Sequence, residues 1–150
     1  ISRIKDNIGI GKPAKEFSIP LLSGEKFTLS GQRGKVVLVD FWASWCGHCV
    51  KGIPHLKEFY EEFKGKGFEI IGISLDAKKK SLEKYLGREK IPWKIACSGK
   101  VWYDATARFY NVNSIPSYWL VDRQGVLRYF GSPLQDKETM KKAIEKLISE

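Results

Sequence analysis

The sequence holds only three cysteines in 150 residues. That is too few for a disulfide framework, and the odd count leaves at least one thiol unpaired. Long apolar stretches are also missing. The longest, 36–43, is interrupted by Asp40 and is far too short to span a bilayer. Internal repeats and low-complexity blocks are absent, which excludes solenoid and fibrous architectures. Acidic residues are in deficit, 17 against 26 Lys and Arg, giving a formal charge of +9. Such a balance attracts anionic partners in general. Here, however, the cations are spread along the chain. The one tight run is Lys78-Lys79-Lys80, and no motif interleaves cations with base-stacking aromatics. A solvated basic surface is expected, with no nucleic acid as partner.

What is present is ordinary for a globular domain: 43% hydrophobic and 29% charged residues, in a length that supports one sizeable core. Residue 1 is Ile and no signal-peptide core follows it, so the chain is expected to have been trimmed. The polar, glycine-punctuated stretch 1–11 reads as the end of a linker, leaving 12–150 as one domain.

Hydrophobic periodicity orders the elements. Residues 17–19 and 26–29 flank Ser23-Gly24 as a short β-hairpin. Residues 36–42 form an apolar, β-branched run that fits a strand buried on both faces. A helix follows over 46–64, with Ile53, Leu56, Tyr60 and Phe63 at helical spacing. Gly65 and Gly67 should stop it, and Pro54 should kink it. A second buried strand is read at 68–75, a short helix at 81–86 and a short strand at 93–96. A helical turn at 104–110 precedes two strands, 118–121 and 126–130, and a last amphipathic helix runs over 137–149. The chain is therefore expected to be an α/β protein, with a central mixed sheet covered by helices on both faces.

Chemistry concentrates in Trp45-Cys46-Gly47-His48-Cys49, where a buried strand turns into a helix. A thiol at a first helical turn faces free backbone N–H groups and the positive end of the dipole, which favours its thiolate. Cys49 lies one turn on, on the same face, within bridging range. Cys46 is read as the nucleophile that forms a mixed disulfide, and Cys49 as the thiol that resolves it. An imidazolium at His48 would stabilise the Cys46 thiolate and make the pair more oxidising; the plainer reading is an exposed polar residue. Cys46, Cys49 and His55 could together ligate zinc, but their spacing matches no finger pattern, so no metal is expected and His55 reads as a surface residue.

The segment 35–49, KVVLVDFWASWCGHC, resembles the strand–active-site–helix segment of the thioredoxin superfamily. Ser114-Ile115-Pro116-Ser117, followed by an apolar strand, resembles its cis-proline loop. Within the superfamily the chain is most similar to TlpA/ResA-like oxidoreductases over about 11–148, including the N-terminal hairpin and an inserted segment between Leu75 and Val101. The resemblance implies a thioredoxin-like fold and exchange with protein thiol and disulfide substrates. It also implies an extracytoplasmic, periplasmic setting and electrons passed through a membrane thiol carrier. The Cys46–Cys49 disulfide would be the redox group, with no further cofactor. A monomer is expected, with a membrane tether or another domain ahead of residue 1.

Residue by residue, Asp40 matches the buried carboxylate that takes the proton of the second cysteine. An apolar strand should raise its pKa and suit it to that role; a core aspartate satisfied by backbone donors is the alternative. Pro116 matches the cis-proline, which would leave the Ile115 backbone free to pair with an extended substrate. Gly47 and Trp45 belong to the same substrate-facing surface, while Trp42 reads equally well as core.

Two positions depart from the pattern. Gly52 stands where several TlpA/ResA-like proteins carry an acidic residue, and Gly72 where thioredoxin has a buried lysine. Cys97 reads as an inert buried thiol or a regulatory one, and Trp93, Trp102 and Trp119 as core or rim aromatics. Two other functions compete: a binding module with an idle cysteine pair, and a peroxidase of peroxiredoxin type, a class that shares the hairpin-extended fold.

Overall fold

A computed structural model describes residues 10–100 and 105–150. Residues 1–9 of the expected linker, Trp102, and Asp104 of the expected helical turn lie outside the described residues. Gly11 is already tied to the domain, its N–H donating to the Leu127 carbonyl at 2.8 Å.

The strand read at 36–42 is β3 (Val36–Trp42), and all seven of its residues are buried. A run so apolar on both faces is stable only with layers above and below it. β3 pairs in parallel with β4 (Phe68–Ser74), which pairs in parallel with β5 (Lys94–Cys97). On its other side lies β6 (Ser117–Val121), antiparallel, followed by antiparallel β7 (Leu127–Phe130). The sheet order is β5-β4-β3-β6-β7. A separate hairpin, β1 (Ser18–Pro20) with β2 (Lys26–Thr28), precedes it.

The even-numbered side chains of β3 and β4 pack under the helices α1 (Gly47–Phe63), α2 (Lys79–Glu89) and α4 (Lys137–Ser149). The odd-numbered ones meet the N-terminal segment, through Phe17, Phe27 and Leu29, and the short α3 (Ala105–Phe109). The mixed sheet, hairpin and inserted α2–β5 segment follow the expectation. The insert differs in extent: α2 runs from Lys79 to Glu89, not 81–86, because lysine, glutamate and leucine sustain a helix beyond the two apolar anchors, Leu82 and Tyr85. Pro54 sits inside α1, which continues past it to Phe63. Beyond α1, Gly67 takes a left-handed conformation, and Arg123 donates to the carbonyls of Gly34, Lys66 and Ile148.

Gly72 lies directly across the strand pair from Asp40, on the helix-covered face. Its missing side chain makes room for aromatic edges: a Cβ there would stand 2.9 Å from Trp42 Nε1 and 2.8 Å from Ile95 Cδ1, with Trp93 Nε1 at 3.4 Å. Ile95 can rotate away, but the indole of Trp42 cannot without disturbing the core. Gly72→Ala should therefore lower stability by about 1–3 kcal/mol, measured by urea unfolding.

Candidate active site

The turn from β3 into α1 is held by its own backbone and by one distant carboxylate. Cys46 N–H donates to the Ala43 carbonyl at 3.1 Å, and the Cys46 carbonyl accepts from Val50 at 3.0 Å. Asp76, just past the end of β4, accepts the Ser44 N–H at 3.0 Å and also the Ser44 hydroxyl. Cys46 is the N-cap of α1, and its sulfur accepts the backbone N–H of Cys49 at 3.2 Å. A Ser or Asp oxygen usually fills this position; here sulfur takes it.

The two thiols differ sharply in exposure. Cys46 is half-buried, whereas Cys49 is 3% exposed. Burial, reinforced by neighbouring Cys46, pushes the Cys49 thiol well above the usual thiol range. Asp40 is 4% exposed, and its Oδ1 has no hydrogen-bond partner. Burial alone raises its carboxyl from 3.8 to about 8. Backbone donors do not satisfy Oδ1, so the plain core-aspartate reading loses its basis.

The Ile115–Pro116 peptide is cis, and the Ile115 carbonyl lies 3.9 Å from the Cys46 sulfur. Pro116 is buried and Ile115 half-buried. Gly47 and His48 are exposed in the first turn of α1, and Trp45 beside them is 57% exposed. The structure thus gathers Trp45, Cys46, Gly47, His48, Cys49, Ile115 and Pro116 at one edge of the sheet, with Asp40 beneath.

Two site residues escaped the sequence reading. His55, read as a surface residue, is half-buried and lines a cleft of about 140 Å³ with His48, Lys51, Pro116 and Tyr118. Tyr118 is the antiparallel partner of Asp40 and is 4% exposed. Its hydroxyl lies 3.0 Å from where a Cβ on Gly52 would stand. Burial, then the nearby Asp40 and both thiols, raises its phenol above the usual range. The available signal was the period-two register of β6, which places residue 118 on the face of Asp40.

Cys97 lies apart, 7% exposed, its thiol donating to the Asp76 carbonyl at 3.4 Å. Among the described residues no three His, Cys, Asp or Glu side chains are grouped to hold a metal ion. No described helix is long and apolar enough to cross a membrane.

Comparison with known proteins adds an independent line. The AhpC/TSA family profile matches residues 10–130. The chain belongs to the AhpC/TSA family. Among relatives of this AhpC/TSA chain, a thiol-disulfide oxidoreductase ResA of Bacillus cereus is 30% identical over 145 residues, covering 95% of this chain and 81% of the relative. ResA of Geobacillus kaustophilus is 29% identical over 143 residues, 95% and 80% respectively. A crystal structure described as the thiol:disulfide interchange protein DsbE from Chlorobium tepidum superposes with a TM-score of 0.84 at 32% identity. That match covers 93% of this chain and 98% of the other. The C-terminal domain of a Bacteroides thetaiotaomicron thiol-disulfide oxidoreductase gives 0.83 at 30%, covering 95% and 98%. Fold, paired thiols and relatives agree on one class, the thioredoxin-fold thiol–disulfide oxidoreductases.

Asp40 also links the site to stability. Unfolded, it ionises near 3.8; folded, it keeps its proton up to about 8. The folded state binds that proton more tightly between these limits. The associated stability is complete below about pH 4 and is lost as pH rises towards 8. Asp40→Asn should remove this slope. By urea unfolding, the variant should match the native chain near pH 4 and exceed it by roughly a few kcal/mol at pH 8.

Proposed function

We propose that Cys46 and Cys49 form a dithiol/disulfide pair that exchanges with cysteines of other proteins through a mixed disulfide at Cys46. The observation that carries this reading is the asymmetry of the pair: a reachable sulfur bonded by a helix N–H, with a sheltered sulfur one turn deeper. As thiolate, Cys46 attacks one sulfur of a client disulfide; that S–S bond breaks, and the other client sulfur leaves and takes a proton. Cys49 then gives its proton to the Asp40 carboxylate and attacks Cys46. The mixed disulfide breaks and the client leaves as a dithiol, reduced by two electrons, while the enzyme pair becomes the disulfide. The reverse sequence oxidises a client dithiol.

Asp40 suits the acceptor role because burial brings its affinity for protons towards that of a thiol. The Ile115 carbonyl, with the cis-proline behind it, offers an acceptor to an extended client strand beside the sulfur. His48 tunes the pair from the first turn, and Trp45 and Gly47 form the surface the client meets. The redox pair serves as the reactive group without a metal or other cofactor. The relatives named ResA and DsbE support an extracytoplasmic, periplasmic setting, in which a membrane thiol carrier would relay electrons to the pair.

Cys49→Ser should accumulate a covalent Cys46–client adduct, seen by non-reducing mass spectrometry, and Cys46→Ser should abolish both adduct and exchange. Peroxide reduction that survives Cys49→Ser but not Cys46→Ser would favour the peroxidase reading. A cysteine pair inert to glutathione buffers would favour the binding module. In stopped-flow resolution of the adduct, the native rate should rise with pH through about 8 as Asp40 ionises. Asp40→Asn should slow it by about 100-fold and flatten the profile.

A further inference from the structure

Parallel strands β3 and β4 end on the same edge of the sheet, so the segments after them lie side by side. After β3 comes Ser44-Trp45-Cys46, and after β4 comes 75–80. Two ties hold them together: the Leu75 N–H donates to the Trp42 carbonyl at 2.8 Å, and Asp76 grips Ser44. Lys78, Lys79 and Lys80, all exposed, therefore stand beside the turn that presents Cys46. On the other flank of the sulfur, His48, Lys51 and His55 line the cleft at Pro116. Lysines therefore stand on two sides of the turn that carries the reactive thiol, Lys78–Lys80 on one and Lys51 on the other.

The placement works against helix stability. The positive end of a helix dipole favours acidic residues, and α4 follows that rule, with Asp136 as N-cap and Glu138 in its first turn. Neither α1 nor α2 carries an acid in its first turn. Lys78 itself is the N-cap of α2 and makes no side-chain capping bond. Nearby acids are engaged elsewhere: Asp76 is buried in hydrogen bonds, Glu58 pairs with Lys137 at 2.9 Å, and Asp136 caps Thr139. Glu83, a turn inside α2, is the exception.

We propose that this cationic rim is a docking surface for client proteins whose reactive cysteine is flanked by acidic residues. The proposal rests on the exchange reading of Cys46 and names the chemistry of its substrates. An extended client advances about 3.3 Å per residue, so side chains within a few positions of its cysteine pass over one flank or the other. Complementary charge speeds encounter and fixes orientation, and salt weakens both. The lysines flank the turn that carries the reacting sulfur and exposed Trp45, where a protein substrate has to sit. Nucleic acid or lipid has no use for that sulfur.

The test compares two matched peptide disulfides, one with glutamates and one with lysines around the cysteine, beside uncharged hydroxyethyl disulfide. The reduced protein should react with the glutamate peptide about tenfold faster than with the lysine peptide at low salt, and the gap should close as salt rises. Replacing Lys78, Lys79 and Lys80 together by Ser should remove most of the preference and leave the hydroxyethyl disulfide rate unchanged. Lys78→Asp, which supplies the missing cap, should raise the melting temperature while slowing the glutamate peptide. Equal rates for the two peptides, or a preference the triple variant retains, would overturn the proposal alone. No reaction with hydroxyethyl disulfide would sink the exchange reading as well. Binding to phosphatidylglycerol vesicles that depends on the three lysines, without peptide preference, would reassign the rim to a membrane.

Discussion

Burial of β3 on both faces dictates most of the architecture around it. A seven-residue strand with no exposed position needs a layer on each side, and the chain supplies helices on one and the hairpin segment on the other. The same burial carries Asp40 into the apolar interior and ends the strand abruptly beneath the first turn of α1. The reactive sulfur is thus delivered by the most constrained segment of the molecule. Asp76 completes the fixation from the neighbouring strand by holding Ser44.

A carboxyl group with one unpartnered oxygen inside such a layer is costly, and the protein meets the cost by keeping it protonated at neutral pH. Among the described residues nothing cationic faces it across the sheet. Gly72 stands there, and the room is filled by Trp42, Trp93 and Ile95. The carboxyl's titratable neighbours are the Cys49 thiol and the Tyr118 phenol, both of which its charge pushes upward. That is a suitable setting for the proposed proton acceptor of Cys49.

Continuous apolar runs were enough to locate β3 and β4, and helical spacing to locate α1 and α4. Placing Cys46 at a helix mouth needed only the strand–turn–helix order. The extent of α2 was obscured because its first turn is a lysine run, which carries no periodic signal. His55 and Tyr118 were hidden for a different reason. Each joins the site through packing between α1 and β6, a contact between residues 63 positions apart; the alternation of β6 gives the face of Tyr118 but not its neighbour across the fold. The position of Lys78–Lys80 was equally illegible, since only strand order reveals which loops share an edge.

Tyr118 and Gly52 approach closely enough to limit each other. With the phenol oxygen 3.0 Å from the point where a side chain would begin, any larger residue at 52 presses on the hydroxyl, which has to give by a few tenths of an ångström. A carboxylate at 52 and a tyrosine at 118 compete for one volume. The side chain that position 52 can carry is therefore set by how far the phenol can yield.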